Sequence, residues 1–131
     1  MSSRAPFFKM SGSGNDFVFF DGTLGGMDQL ETSEAVRAIC VQETGIGADG
    51  VVFLRPAGEH AIRMRYYNSD GSLGELCGNA TLCATRLAHE LGMVSSAEMS
   101  VETDAGLVAA RMVDGRPEID FASVTETKAE V

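Results

Sequence analysis

The run from Tyr66 to Leu91, YYNSDGSLGELCGNATLCATRLAHEL, gathers the residues best suited to chemistry: Cys77, followed at once by Gly78 and Asn79, with Asn68 upstream. From Asn79 onward, Leu82, Cys83, Leu87 and Leu91 recur at three- and four-residue spacing without a proline, which predicts a helix. Cys77 then sits just before a helix N-terminus. There, backbone N–H groups without partners and a partial positive charge stabilise a thiolate or a bound carboxylate. A cysteine so placed has a lowered pKa. Gly78 lets the backbone approach a ligand closely, and Asn79 either caps the helix or offers its amide to a substrate. The plain alternative is a structural cysteine buried at a helix start; the polar, glycine-rich approach to Cys77 favours a reactive thiol.

Two more stretches are candidates for a site. SGSGND, Ser11 to Asp16, is a glycine-rich loop between short apolar runs, but it is not a Walker sequence and lacks the flanks of a dinucleotide fingerprint. It reads as a tight turn that points Asn15 into a site, or simply as a hairpin loop. GIGADG, Gly45 to Gly50, is a second such loop ahead of an apolar strand. Cys40, Cys77 and Cys83 are an odd number at no zinc-ligand spacing, which favours neither a disulfide framework nor a metal site. Cys40 falls on the apolar side of a helix and reads as core. His60 and His89 read as surface residues.

The elements that must position these residues follow from periodicity. Phe7 to Lys9 and Phe17 to Phe20 read as strands, and Thr32 or Ser33 caps a helix running to about Glu43 with Ala35, Val36, Ile39 and Cys40 on one side. Val51 to Leu54 is a strand ended by Pro56 and Gly58. Ile62, Met64 and Tyr66 alternate with Arg63, Arg65 and Tyr67, the period of a strand with one buried face. After the second helix, which Gly92 stops, Met99 to Thr103, Gly106 to Met112 and Glu118 to Phe121 read as strands, with a hairpin signal at Asp114 and Gly115. The expected set is about seven strands, one peripheral helix and one helix apolar on most sides. Such a helix must be surrounded. The fold expected is therefore α+β, a curved mixed sheet wrapped around a central apolar helix. Residues 1–121 form one domain in this reading, and 122–131 a polar tail or truncated end.

A chain of 131 residues with 44% hydrophobic and 22% charged residues is long enough to bury a core and too apolar for disorder. The formal charge of −9 argues against nucleic acid or an anionic membrane as partner, since phosphate binding needs a basic face. No apolar run reaches membrane-spanning length and no leader pattern is present, so a cytoplasmic location is expected.

KMSGSGNDFVFFD (Lys9 to Asp21), TGIGADGVVFLRP (Thr44 to Pro56) and MRYYNSDGSLGELCGN (Met64 to Asn79) together resemble the amino-terminal domain of the diaminopimelate epimerase family, in its order and spacing. The resemblance implies a cofactor-independent isomerase that interconverts LL- and meso-diaminopimelate for lysine and peptidoglycan synthesis. It also implies one half of a two-domain fold, each half a curved sheet around a helix, with the active site in the cleft between them. Carried over, Cys77 matches a catalytic cysteine that removes or delivers the α-proton on one face. Asn15 and Asn68 match residues that hold the distal end of the substrate, and Gly78 and Asn79 those that receive the α-carboxylate. Inversion needs a second group on the opposite face, which the family supplies from its carboxyl domain; Cys83 matches a structural position. After CGN the family commonly has glycine, a variable residue and arginine. Here stand Ala80, Thr81 and Leu82; Ala80 is expected to crowd the carboxylate, and Leu82 to remove a charge that supports the site or the domain interface.

Three readings follow: an epimerase half-site completed by a carboxyl-terminal half, an inactive epimerase-like module whose open cleft binds or self-associates, and a related cysteine-dependent racemase. The polar loops bearing Asn15 and Asn68 favour a substrate with a polar distal end, hence diaminopimelate.

Overall fold

Two kinds of apolar run set the architecture: strands whose alternate residues face opposite ways, and one helix lined with small residues. A computed structural model describes residues 6–12, 14–23, 27–41, 47–74 and 78–120. In chain order the elements are β1 (Phe8–Gly12), β2 (Asn15–Asp21), α1 (Met27–Leu30), α2 (Ser33–Cys40), β3 (Gly50–Gly58), β4 (Ala61–Asn68), β5 (Leu73–Gly74), α3 (Gly78–Leu91), β6 (Glu98–Thr103), β7 (Gly106–Val113) and β8 (Arg116–Asp120). The strands form one mixed sheet in the order β1-β2-β3-β4-β6-β7-β8, with β5 paired to β4. β2 runs parallel to β3 and β4 parallel to β6, and the remaining neighbours are antiparallel.

The expected curved mixed sheet around a central helix is what the chain forms. α3 touches β1, β2, β3, β4, β6, β7 and β8. Its Ala80, Cys83, Ala84, Leu87 and Ala88 pack with Phe17, Phe19, Val52, Leu54, Ile62, Met64, Val101 and Val108. Thr81 and Thr85 are also buried, and the Thr85 hydroxyl donates to the Thr81 carbonyl at 2.8 Å, which satisfies it inside the helix. The leucine spacing that predicts the helix marks its core only in part: Leu82 is half-buried and Leu91 is exposed. The inward face is made chiefly of small residues, which let strands approach the axis from several sides.

Alternation along the strands builds a second layer on the other side of the sheet. Val18, Phe20, Val51, Phe53 and Tyr67 point away from α3 and pack with Val36, Cys40 and Ala48 under α2. β2 and β3 are thus buried on both faces, and their unbroken FVFF and VVFL runs are what parallel neighbours so placed require. β4 carries Ile62, Met64 and Tyr66 on the α3 side as expected, yet Tyr67 is buried on the outer side, so the expectation of a single buried face holds only for its first half.

Several boundaries differ from the sequence reading. β1 and β2 extend into SGSGND, with Gly12 opposite Asn15, because ladder hydrogen bonds come from the main chain and tolerate polar residues. Pro56 lies inside β3 opposite Ile62 rather than ending it. β2 pairs with β3 only as far as Leu54, so the missing N–H of Pro56 falls beyond that ladder. α2 is capped by Thr32, whose Oγ1 accepts from Ala35 N at 3.1 Å, and it ends at Cys40 because Val41 is extended. The one-turn α1 and two-residue β5 are additions to the expected set, giving eight strands among the described residues. Asp114 and Gly115, both at positive φ, turn β7 into β8 as the hairpin signal implies. His60 and His89 are exposed. Among the described residues no helix is long and apolar enough to cross a membrane.

Leu54 is fully buried between the sheet and α3. Leu54→Ala should cost about 2–5 kcal/mol of unfolding free energy by the cavity it leaves. Leu107→Ala, at a residue 59% exposed, should stay within about 0.5 kcal/mol. Urea denaturation midpoints of the two variants compare these directly.

Candidate functional site

At one end of the sheet, β2 and β3 begin, β4 ends and α3 starts. Gly50 pairs with Phe17 on one side and Asn68 on the other, which places the starts of β2 and β3 and the end of β4 in one row. Alternation sets the direction of the side chains. Asn15 shares the face of Phe17 and Phe19, and Asn68 that of Met64 and Tyr66, so both belong to the α3 side. Gly50 has to be glycine: a Cβ there would lie 2.6 Å from Tyr66 Cε1, and the Tyr66 ring meets Phe17 edge-on at 6.1 Å.

The structure brings two of the candidate residues into contact across the fold. Asn79 Nδ2 donates to Asn15 Oδ1 at 3.3 Å, joining the first turn of α3 to the start of β2. Asn79 is therefore not the helix cap, since α3 begins one residue earlier, at Gly78, and its side chain crosses to the sheet instead. Gly78 and Asn79 are half-buried at the helix start. Cys77 lies outside the described residues. Of the other cysteines, Cys83 is buried in the core around α3. Cys40 is buried under α2, and burial, helped by the negative charge of Asp49, pushes its thiol up, away from the thiolate form. Ala80 is fully buried, its methyl packed in the core around α3. Among the described residues no three His, Cys, Asp or Glu side chains converge as a metal centre would need.

Asn68 is held by the turn that follows it. Its backbone N–H donates to Ser72 O at 2.8 Å, and Gly71 N donates to Asn68 O at 2.9 Å. Its Nδ2 donates to Ser72 Oγ at 3.0 Å, and Ser72 Oγ in turn donates to Asp70 Oδ1 at 2.6 Å. Gly71, at φ +89°, closes this turn against α2, where a Cβ would overlap the Ser33 carbonyl oxygen. The hydroxyl and amide of Ser72 hold the Asp70 carboxyl below its ordinary value.

The residue before Asn68 anchors β4 from the outer side. Tyr67 OH donates to Glu31 Oε2 at 2.8 Å, and Arg55 Nη2 lies 2.9 Å from Glu31 Oε1. Arg65 Nε is 3.7 Å from Glu31 Oε2 and 3.9 Å from Asp104 Oδ2. Burial first, then the hydrogen bond to Glu31 and its charge, push the Tyr67 phenol up to about 12. Nothing in the local sequence singles out Glu31; only the long-range pairing makes it the shared acceptor of this group.

The family model described as Diaminopimelate epimerase matches residues 7–129. The chain is 48% identical over 126 residues to a diaminopimelate epimerase of Gemmatimonas aurantiaca, covering 95% of this chain and 45% of that protein. It is 40% identical over 121 residues to that of Desulforudis audaxviator, covering 92% of this chain and 41% of that one. The chain thus spans less than half the length of these relatives. Among solved structures, a methylitaconate-delta-isomerase superposes with a TM-score of 0.66 at 17% identity, over 86% of this chain and 35% of the other. A hydroxyproline epimerase from Agrobacterium vitis superposes with a TM-score of 0.62 at 21% identity, over 84% and 38%. At these identities the likeness is one of fold.

Two pH effects should follow. The Asp70 carboxyl is lower in the folded chain, so its bonds add stability above the unfolded value of about 3.9 and lose it as pH falls through the native value. Asn68 side-chain NMR signals should shift in that acid range, and Asp70→Ala should produce the same shift at neutral pH. The Tyr67 phenol is higher in the folded chain, so its contribution is complete below about pH 10 and lost as pH rises toward 12. Phenolate absorbance should show one tyrosine titrating near 12, and Glu31→Gln should lower that midpoint while burial keeps it above 10.

Proposed function

This chain belongs to the diaminopimelate epimerase family, and on that premise we propose that it forms the amino-terminal half-site of an enzyme interconverting LL- and meso-diaminopimelate. The observation that carries this reading is the Asn79–Asn15 hydrogen bond, which ties the start of a fourteen-residue helix to the start of β2, 64 residues away in the chain. It supports a single site assembled from both motifs. The α-carboxylate of the substrate binds at the first turn of α3, where Gly78 and Asn79 stand and N–H groups lack helical partners.

The distal end of the substrate falls to Asn15 and Asn68. Asn15 Oδ1 is engaged by Asn79, so Asn15 has its Nδ2 to donate. Asn68 Nδ2 is engaged by Ser72, so Asn68 has its Oδ1 to accept. One donor and one acceptor suit an end that bears both a carboxylate and an ammonium group. That is the distal end of diaminopimelate, and a proline-like ring offers nothing equivalent.

Cys77 is the proton-transferring group of this half. Its thiolate takes the α-proton: the C–H bond breaks, an S–H bond forms, and the electron pair spreads onto the α-carboxylate, where backbone N–H groups stabilise it. A second thiol on the opposite face returns a proton to carbon and is left as thiolate. The product is the inverted centre, with no net change of oxidation state. One side chain cannot reach both faces, so the second thiol comes from a carboxyl-terminal domain beyond these 131 residues. No cofactor is needed for this exchange.

The test is exchange of the α-proton of LL- and meso-diaminopimelate with deuterated solvent, by the chain with and without a carboxyl-domain fragment of a relative. Exchange with inversion is expected only with the fragment, and Cys77→Ala should lower it by at least about a hundredfold, the low end for loss of a general base. A folded chain giving neither exchange nor inversion in any mixture would sink the proposal and leave a non-catalytic epimerase-like domain.

A further inference from the structure

Asp49, just ahead of β3, meets Asp16, the residue after Asn15 in β2, through two hydrogen bonds. Asp16 N donates to Asp49 Oδ2 at 2.8 Å, and Asp49 N donates to Asp16 O at 2.8 Å. Ser11 Oγ donates to Asp16 Oδ1 at 2.5 Å from the facing strand. The N–H of Asp16 belongs to the peptide plane that follows Asn15 Cα. Gripping that plane removes the soft rotation about Asn15 ψ and so sets where the Asn15 side chain points. Strand alternation puts Asp16 on the outer side of the sheet with Val18, and the Asp49 carboxylate lies near enough to Cys40 of α2, in that same outer layer, to act on its thiol, while Asn15 faces α3. Asp49 therefore acts from behind and does not enter the site.

We propose that Asp49 is a positioning residue for the half-site: its carboxylate clamps the Asn15–Asp16 peptide, and through it the Asn15–Asn79 pair that receives substrate. This rests on the reading of Asn15 as a substrate-holding residue. The adjoining Gly50 completes the device, because it pairs with both Phe17 and Asn68 and so links the clamp to the second distal-end residue. The chemistry asked of Asp49 is acceptance of one N–H bond. A neutral carboxamide can do that, and a methyl cannot.

The experiment has two arms, using Asp49→Ala and Asp49→Asn. In the first, on the ¹⁵N-labelled chain alone, Asp49→Ala should speed Asp16 amide hydrogen exchange about fivefold, as for loss of one hydrogen bond. It should also shift the Asn15 and Asn79 side-chain NH₂ signals, and Asp49→Asn should restore both. In the second, with diaminopimelate and the carboxyl-domain fragment, Asp49→Ala should raise KM about fivefold with kcat nearly unchanged, as for lost binding felt equally in ground and transition states. Asp49→Asn should again restore it. Unmoved Asp16 exchange and Asn signals in Asp49→Ala would overturn the proposal. So would a fall of Tm and kcat in both variants with KM unmoved, the mark of a merely structural loop. If the unsubstituted chain turns over nothing, the epimerase reading fails in the second arm, and the first arm alone decides for or against Asp49.

Discussion

The constraint on which the rest depends is the enclosure of α3. A helix ringed by strands must satisfy its polar groups internally and present little bulk. Ala80, Ala84, Thr85 and Ala88 do both: the alanines add no polar atoms, and Thr85 returns its hydroxyl to the backbone one turn back. Small residues bring the sheet close from several directions, and the sheet can then curl. Larger side chains from the strands, Phe17, Phe19, Leu54 and Met64 among them, fill the space that the helix leaves.

That enclosure has a consequence for function. The first turn of α3 is tied to the start of β2 by the Asn79–Asn15 hydrogen bond, so its groups keep a fixed relation to that strand. The half-site inferred for this chain is built on strand ends and on the turns that follow them. Its side chains are braced by their neighbours: Asn79 by Asn15, Asn68 by Ser72 and Asp70. Preorganisation of this kind lowers what binding must spend on ordering groups.

β4 joins the two layers. Its even-numbered residues face the helix and its odd-numbered ones the outer layer, so Tyr67 and Asn68 point opposite ways from adjacent positions. The outer layer is where charge is neutralised: Glu31 meets Arg55, Arg65 and Tyr67, and Asp104 meets Arg63 and Arg65. These half-exposed pairs are each worth little alone. As a group they orient the strand that ends at Asn68.

What the sequence alone determined follows from local period and composition. Two-residue alternation in β4, the unbroken apolar runs of β2 and β3, and the helical spacing of α3 identify those elements, because each pattern is a direct image of which way successive side chains point. Asn15, Asn68 and Asn79 stand out as polar residues at the edges of apolar runs, and two of the three motifs that mark the family carry them. The one-turn α1 and two-residue β5 left no such image, since neither is long enough to show a period. The tertiary structure alone decided that β2 lies beside β3, so that Asp49 clamps the peptide after Asn15, that Glu31 serves three partners, and that Ala80 turns into the core. Those contacts join residues tens of positions apart, and their geometry comes from strand register and helix enclosure, which no local stretch encodes.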